Sequence, residues 1–209
     1  MRRLFAVLAL LTHPAWAQDQ PGDFDYYVLS LSWSANWCAL EGDARQSPQC
    51  DPAENFDWVM HGLWPQYEQG YPAHCPTENR PPSRAETAQM ADIMGTSGLA
   101  WHAWRKHGAC SGLASDAYFD LARDAFDRVV RPPVFRGIHR DITLPATVVE
   151  AAFIRANPGL VADQITITCA SGYIQEARIC LTRDLQFRTC SDSVIRDCTM
   201  TDARLSPMR

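Results

Sequence analysis

Eight cysteines, the first of them Cys38, constrain this sequence more than any other feature. An even set of thiols forms disulfides in an oxidising compartment; in a reducing one it reads as metal ligands or redox groups. Zinc sites draw on close pairs such as CxxC, and the closest pair here, Cys190 and Cys198, lies eight residues apart. The beginning of the chain indicates the compartment. Arg2 and Arg3 are basic, Leu4 to Leu11 is an apolar run too short to span a bilayer, and Ala15-Trp16-Ala17 offers a small-x-small cleavage site. Residues 1–17 therefore read as an export leader, and residues 18–209 as a single mature domain destined for the periplasm or the outside of the cell. No later segment is a membrane anchor. In that setting Cys38, Cys50, Cys75, Cys110, Cys169, Cys180, Cys190 and Cys198 are expected to be disulfide-bonded. Spacing leaves on the order of a hundred pairings open. The arrangement we favour nests Cys180–Cys190 inside Cys169–Cys198 and places Cys38–Cys50 and Cys75–Cys110 before them.

Hydrophobic patterning sets the fold class. Tyr26 to Trp33 is aromatic and β-branched, with late alternation, and reads as a strand. Phe56 to Met60 reads as a second, short strand leading into His61. Ser83-Arg84-Ala85-Glu86 is a capping box opening a helix to about Met94, which Gly95 and Gly98 end. A helix over Trp101–His107 is stopped by Gly108, and from periodicity its Trp101 and Trp104 are core residues. Another helix after Ser115 carries Tyr118, Leu121, Ala122, Ala125, Phe126 and Val129 on one face, and one more spans about Ala146 to Ala156. Gln164 to Cys169 and Tyr173 to Leu181 read as strands, followed by a turn near Asp184 and a hairpin return toward Cys190. Strands at both ends and helices between them predict an α+β fold: a central, mainly antiparallel sheet flanked by helices and stapled by disulfides.

The net charge of -5 excludes a protein drawn to nucleic acid by a broad basic field. Among the 19 basic residues lysine occurs once, at Lys106. At about 100° per residue, His102, Ala103, Lys106 and His107 share an arc of roughly 140° on one helix face, whereas Arg105 points elsewhere. Two imidazoles and an ammonium converging on one spot suit a phosphodiester. Such a substrate needs positive charge beside its non-bridging oxygens, a base for the nucleophile and an acid for the leaving group. Spacing of this kind is also a weak metal signal. A zinc-dependent hydrolase using His61, His102 and His107 is the alternative it raises, against which stand the missing carboxylate on the helix face and a lysine that would repel the cation.

His61-Gly62-Leu63-Trp64-Pro65, followed by Lys106-His107-Gly108-Ala109-Cys110, resembles the two active-site segments of the ribonuclease T2 family, which read roughly HGLWP and HEWxKHGTC. The likeness also takes in the opening strand, Cys75, the Asn157-Pro158-Gly159-Leu160 stretch and Glu176-Ala177-Arg178-Ile179-Cys180, in order along nearly the whole mature chain. It implies metal-independent endonucleolytic cleavage of RNA, in which the 2′-hydroxyl attacks the adjacent phosphorus to give a 2′,3′-cyclic phosphate and a free 5′-hydroxyl. By resemblance His107 is the general base, His61 the general acid, His102 a phosphate ligand and Lys106 the group that stabilises the phosphorane. Trp64, with help from Tyr71, is expected to stack a base. Gln66 stands where some relatives have aspartate, and Ser32 where eukaryotic relatives often have glutamine. The expected partner is single-stranded RNA read with little sequence preference, by a monomer that cleaves no DNA and needs no cofactor or metal. The departure is Ala103, where family members usually carry glutamate. It leaves open a catalytically weak or inactive RNA-binding homologue.

Overall fold

The computed structural model describes residues 19–209, so the leader expected over residues 1–17 lies outside the described residues. In chain order the regular elements are β1 (Tyr26–Trp33), α1 (Ser34–Trp37), β2 (Trp58–Gln66), α2 (Arg84–Gln89), α3 (Ala91–Met94), α4 (Ser97–Lys106), α5 (Ser115–Arg128), β3 (Ile142–Leu144), α6 (Ala146–Ala156), β4 (Ile165–Ala170), β5 (Tyr173–Leu181) and β6 (Ala203–Leu205). The strands form one sheet in the order β2-β1-β5-β6-β3, with β4 also paired to β5. Its ladders are antiparallel except the short β5–β6 contact. The α+β class with a mainly antiparallel sheet is as the sequence predicts.

β1 explains how the sheet divides the molecule. Its residues are all buried, and the pleat sends them alternately to two faces. Tyr27, Leu29, Leu31 and Trp33 enter the main core, where Trp33 and Trp58 pack edge-on against Phe135 and Trp58 against Phe153. Ser30 and Ser32 lie on the opposite face, which carries the cavity described below. The late Leu-Ser-Leu-Ser alternation in the sequence is this division.

Several expectations are corrected. The second strand runs on to Gln66, so His61 lies within β2 rather than after it. The ladder to β1 keeps Pro65 opposite Tyr27, and its register shifts between Ser30 and Leu31. The capping box is formed as predicted, with Ser83 Oγ accepting from the Glu86 amide at 3.2 Å and Glu86 Oε2 accepting from the Ser83 amide at 2.6 Å. The helix it opens nevertheless breaks at the buried Met90 into α2 and α3, and Gly95, at φ 77°, ends α3. Gly98 does not end a helix. Thr96 caps α4 by accepting from the Leu99 amide at 3.1 Å, so α4 starts four residues earlier than expected. Trp104 is buried as expected, whereas Trp101 is 39% exposed. In α5, Leu121 is only partly buried and Phe119 joins the core instead. The expected hairpin after Asp184 is short: one bridge, Leu181 to Phe187, flanked by the Thr182 amide donating to the Gln186 carbonyl at 2.7 Å and the Arg188 amide to the Cys180 carbonyl at 3.1 Å, with Leu185 left-handed in the turn.

The disulfides are Cys38–Cys50, Cys75–Cys110, Cys169–Cys198 and Cys180–Cys190. Cys38–Cys50 closes the segment after α1. Cys75–Cys110 ties the loop after β2 to the turn after α4, where the His74 amide also donates to the Lys106 carbonyl at 2.9 Å.

Candidate active site

β2 supplies the first histidine. Ser30 pairs with Gly62 and Leu31 with Met60, so His61 is the extra residue of a β-bulge. A bulge bends its strand and re-aims the side chain it carries. Gly62 is required by Trp64, two residues on along the same face: a Cβ at position 62 would sit within the indole. With hydrogen there instead, the Trp64 ring lies flat against the strand between two imidazoles. Its centroid is 5.4 Å from the His61 ring, edge to face, and 5.2 Å from the His107 ring, stacked at 26°.

α4 supplies the second group. Its last helical residue is Lys106. His107 leaves the helix at φ -122°, its amide still donating to the Ala103 carbonyl at 2.9 Å, and its ring turns inward to 6% exposure. Gly108 permits the turn that follows, because a Cβ there would meet Trp104 and Tyr118 at 2.7 and 2.8 Å. Basic side chains in the last turn also suit the negative end of the helix dipole.

His61, Trp64, Gln66, Tyr71, His102, Ala103, Lys106 and His107 line one cavity of about 330 Å³. The structure thus brings together every side chain singled out in the two segments, and it adds Gln175, Glu176, Arg178, Ser193 and Val194. A second cavity of about 700 Å³ shares His61, His102, Gln175 and Glu176 with it and extends past Ser32 to the segment closed by Cys38–Cys50. Lys106 Nζ stands 5.8 Å from the Tyr71 ring centroid, and the Arg178 guanidinium 5.4 Å from that of Trp64. Among the described residues no three of His, Cys, Asp or Glu are grouped to hold a metal ion.

The two histidines flanking Trp64 have opposite surroundings. His61 Nδ1 is hydrogen-bonded to Oε1 of Glu176. His107 Nδ1 is buried without a hydrogen-bond partner among the described residues. Burial first, then the charges of Lys106 and the neighbouring imidazoles, lower the His107 pKa from 6.5 to about 3. His102 is lowered too, by burial and then by Lys106. Glu176 and Arg178 were not singled out for roles from sequence. Their signal is two charges two residues apart in a strand whose other residues, Gln175 aside, are apolar or aromatic.

These surroundings make stability depend on pH. The unfolded chain protonates His107 near 6.5, but the folded chain does so only near 3, so acid favours unfolding within that window. The loss reaches at most about 1.4 kcal/mol per pH unit. Glu176 adds a loss of the same sign below 4.5, its ordinary value, because its folded pKa is about 2. The urea midpoint should therefore fall from pH 6.5 to 4.5, and His107→Asn should flatten that part of the profile; an equal slope in the variant would contradict the burial argument.

An α+β scaffold with four disulfides carries three histidines and the chain's single lysine in one cavity. The chain belongs to the Ribonuclease T2 family, whose model matches residues 24–190. A ribonuclease of Aeromonas hydrophila is 36% identical over 129 residues, which cover 59% of this chain and 57% of that one. Ribonuclease I of Escherichia coli is 30% identical over 139 residues, covering 48% of this chain and 52% of the relative. The chain thus spans about half the length of the curated relatives it matches. The crystal structure of RNase NT in complex with 5′-AMP superposes with a TM-score of 0.65 at 22% identity, covering 89% of this chain and 100% of that one. An RNase-related protein from Calystegia sepium gives 0.65 at 18% identity, covering 88% and 97%. These likenesses show the fold.

Proposed function

We propose that this chain is an exported endoribonuclease that cleaves RNA by transphosphorylation without a metal. Residues 18–209 form the catalytic domain behind a leader of residues 1–17, and the product is a 2′,3′-cyclic phosphate with a free 5′-hydroxyl. The observation that carries this reading is the contrast between the two imidazoles beside Trp64. One ring is buried with no hydrogen-bond partner at Nδ1 among the described residues and the other is bonded to a carboxylate, and two titratable groups in unlike surroundings suit acid and base roles. His107, neutral above about pH 3, can accept the proton of the 2′-hydroxyl. His61, bonded to a carboxylate, can deliver a proton to the departing 5′-oxygen. His102 and Lys106 then hold the phosphate as its oxygens gain charge.

Single-stranded RNA fits such a cleft, since aromatic surfaces at Trp64 and Tyr71 suit many bases. Gln66, able to donate and to accept, contacts the base without choosing one strongly. DNA lacks the nucleophile and should survive. Four disulfides and relatives that include an "Extracellular ribonuclease LE" of Solanum lycopersicum support export. Ala103 removes a helix carboxylate but none of the groups assigned a step, so we favour an active enzyme, acting as a monomer.

The test is digestion of RNA and of single-stranded DNA of the same sequence by residues 18–209, from pH 4 to 8, with and without EDTA. The expected outcome is RNA cleavage unchanged by EDTA and intact DNA. No cleavage at any pH would leave an RNA-binding homologue. Activity abolished by EDTA and restored by zinc would replace this mechanism with a metal-dependent one.

A further inference from the structure

The cavity is rich in imidazoles and cations, and among the described residues Glu176 is the one carboxylate that lines it. Glu176 stands on β5 and is 2% exposed. A carboxylate persists at such depth only when its oxygens are met by donors. Oε1 accepts from His61 Nδ1, and Oε2 accepts from Arg178 Nε and Nη2 at 2.8 and 2.7 Å. Arg178 thereby fixes the carboxylate and leaves its other oxygen to a single ring.

The sheet is built for this reach. β1 lies between β2 and β5, so Glu176 must cross it to touch His61. The β1 residues at the crossing are Ser30, paired with Arg178, and Ser32, paired with Glu176. Both are small and point to the cavity face. The bulge in β2 then turns His61 toward the carboxylate. Bonding at Nδ1 directs the opposite nitrogen, Nε2, away from Glu176.

We propose that Glu176, clamped by Arg178, is a positioning residue for the reaction: it keeps His61 protonated at Nδ1 and holds Nε2 toward the substrate. This rests on the reading of His61 as the general acid. Burial opposes the charge on Glu176, but the His61 hydrogen bond and the charges of His61 and Arg178 lower its pKa to about 2. It is therefore ionised wherever an RNA-cleaving histidine pair would work. The charged and titratable groups that line the first cavity with His61 are Glu176 and Arg178 from β5, His102 and Lys106 from α4, His107 beyond its end, and Tyr71. The second cavity, which His61 also lines, adds Glu41 and Arg45, paired with each other at 2.7 Å. Glu176 is the carboxylate bonded to the His61 ring. Ala103, on the wall formed by α4, brings no acid that could take its place.

Glu176→Gln keeps the shape and an acceptor but removes the charge. The expected result is a fall in kcat of about 10- to 100-fold with KM little changed. The alkaline limb of the pH–rate profile should move to lower pH by about one unit. Glu176→Asp, which keeps the charge at shorter reach, should restore the limb more fully than the rate. Ring-proton NMR of the same proteins provides a readout that does not need turnover: the His61 Nδ1–H signal of the wild type should shift in Glu176→Gln while the urea midpoint reports its folding. A pH–rate profile and a His61 signal matching wild type would overturn the proposal. If the wild type cleaves no RNA, the functional reading falls, and the NMR comparison still decides whether Glu176 holds His61.

Discussion

Replacing His107 with alanine is expected to lower RNA cleavage by about 10²–10⁴-fold, the range that a positioned acid or base contributes. His61→Ala should lose a similar amount. Both follow from the placement of the two rings on either side of Trp64 and in one cavity. The double variant should be little worse than either single one, because groups that act in one step are not additive. The two replacements should differ in their effect on the fold. His107 is buried and stacked on Trp64, so its removal leaves a void; His61 has a side chain 42% exposed, but its removal strips Glu176 of one partner. Urea melts beside single-turnover rates separate chemistry from folding. Either single variant retaining activity within about tenfold of wild type would contradict the assignment.

The second large effect is expected from the Cys75–Cys110 bridge. It closes a loop of 35 residues, and the chain-entropy account assigns such a loop roughly 3–4 kcal/mol of stability. Replacing both cysteines with serine should lower the urea midpoint accordingly. It should also lower cleavage more than loss of folded protein explains. Tyr71 lies just before one end of the bridge, and Lys106 and His107 just before the other, so the bridge holds the two sides of the cavity together. Cys38–Cys50 closes only 12 residues and should contribute less. Equal stability losses in the two pairs of variants, with rates that track the folded fraction, would show that the longer bridge has no special bearing on the site.

How legible the site was in sequence depends on which physical signal carried each part. The α4 face was readable because helical periodicity alone places His102, Lys106 and His107 together. Periodicity alone makes His107 helical, whereas it is the turn at His107 and Gly108 that buries its ring. His61 was readable as a residue but not as a position: Gly62 and Pro65 look like the end of a strand. Gly62 is there to let the Trp64 indole lie down, and the bulge is set by pairing with β1, which local sequence does not encode. Gly98 misled for a related reason, since the Thr96 cap outweighs one glycine in a first turn. β3 and β6 pair only with each other and with the tip of β5, and at three residues each they carry no periodicity to detect. Glu176 was the largest omission in the site. Its meaning lies in a contact across β1 to a residue 115 positions away.

The central claim is that two histidines in different surroundings, one buried and one bonded to a carboxylate, drive transphosphorylation. It is tested most directly by following ³¹P NMR of a dinucleoside monophosphate of RNA incubated with residues 18–209 in EDTA. The account predicts a 2′,3′-cyclic phosphate signal rising as the diester falls, at a rate that collapses in His61→Ala and in His107→Ala. Conversion of the diester straight to a linear phosphate, with no cyclic species at any time, would contradict it.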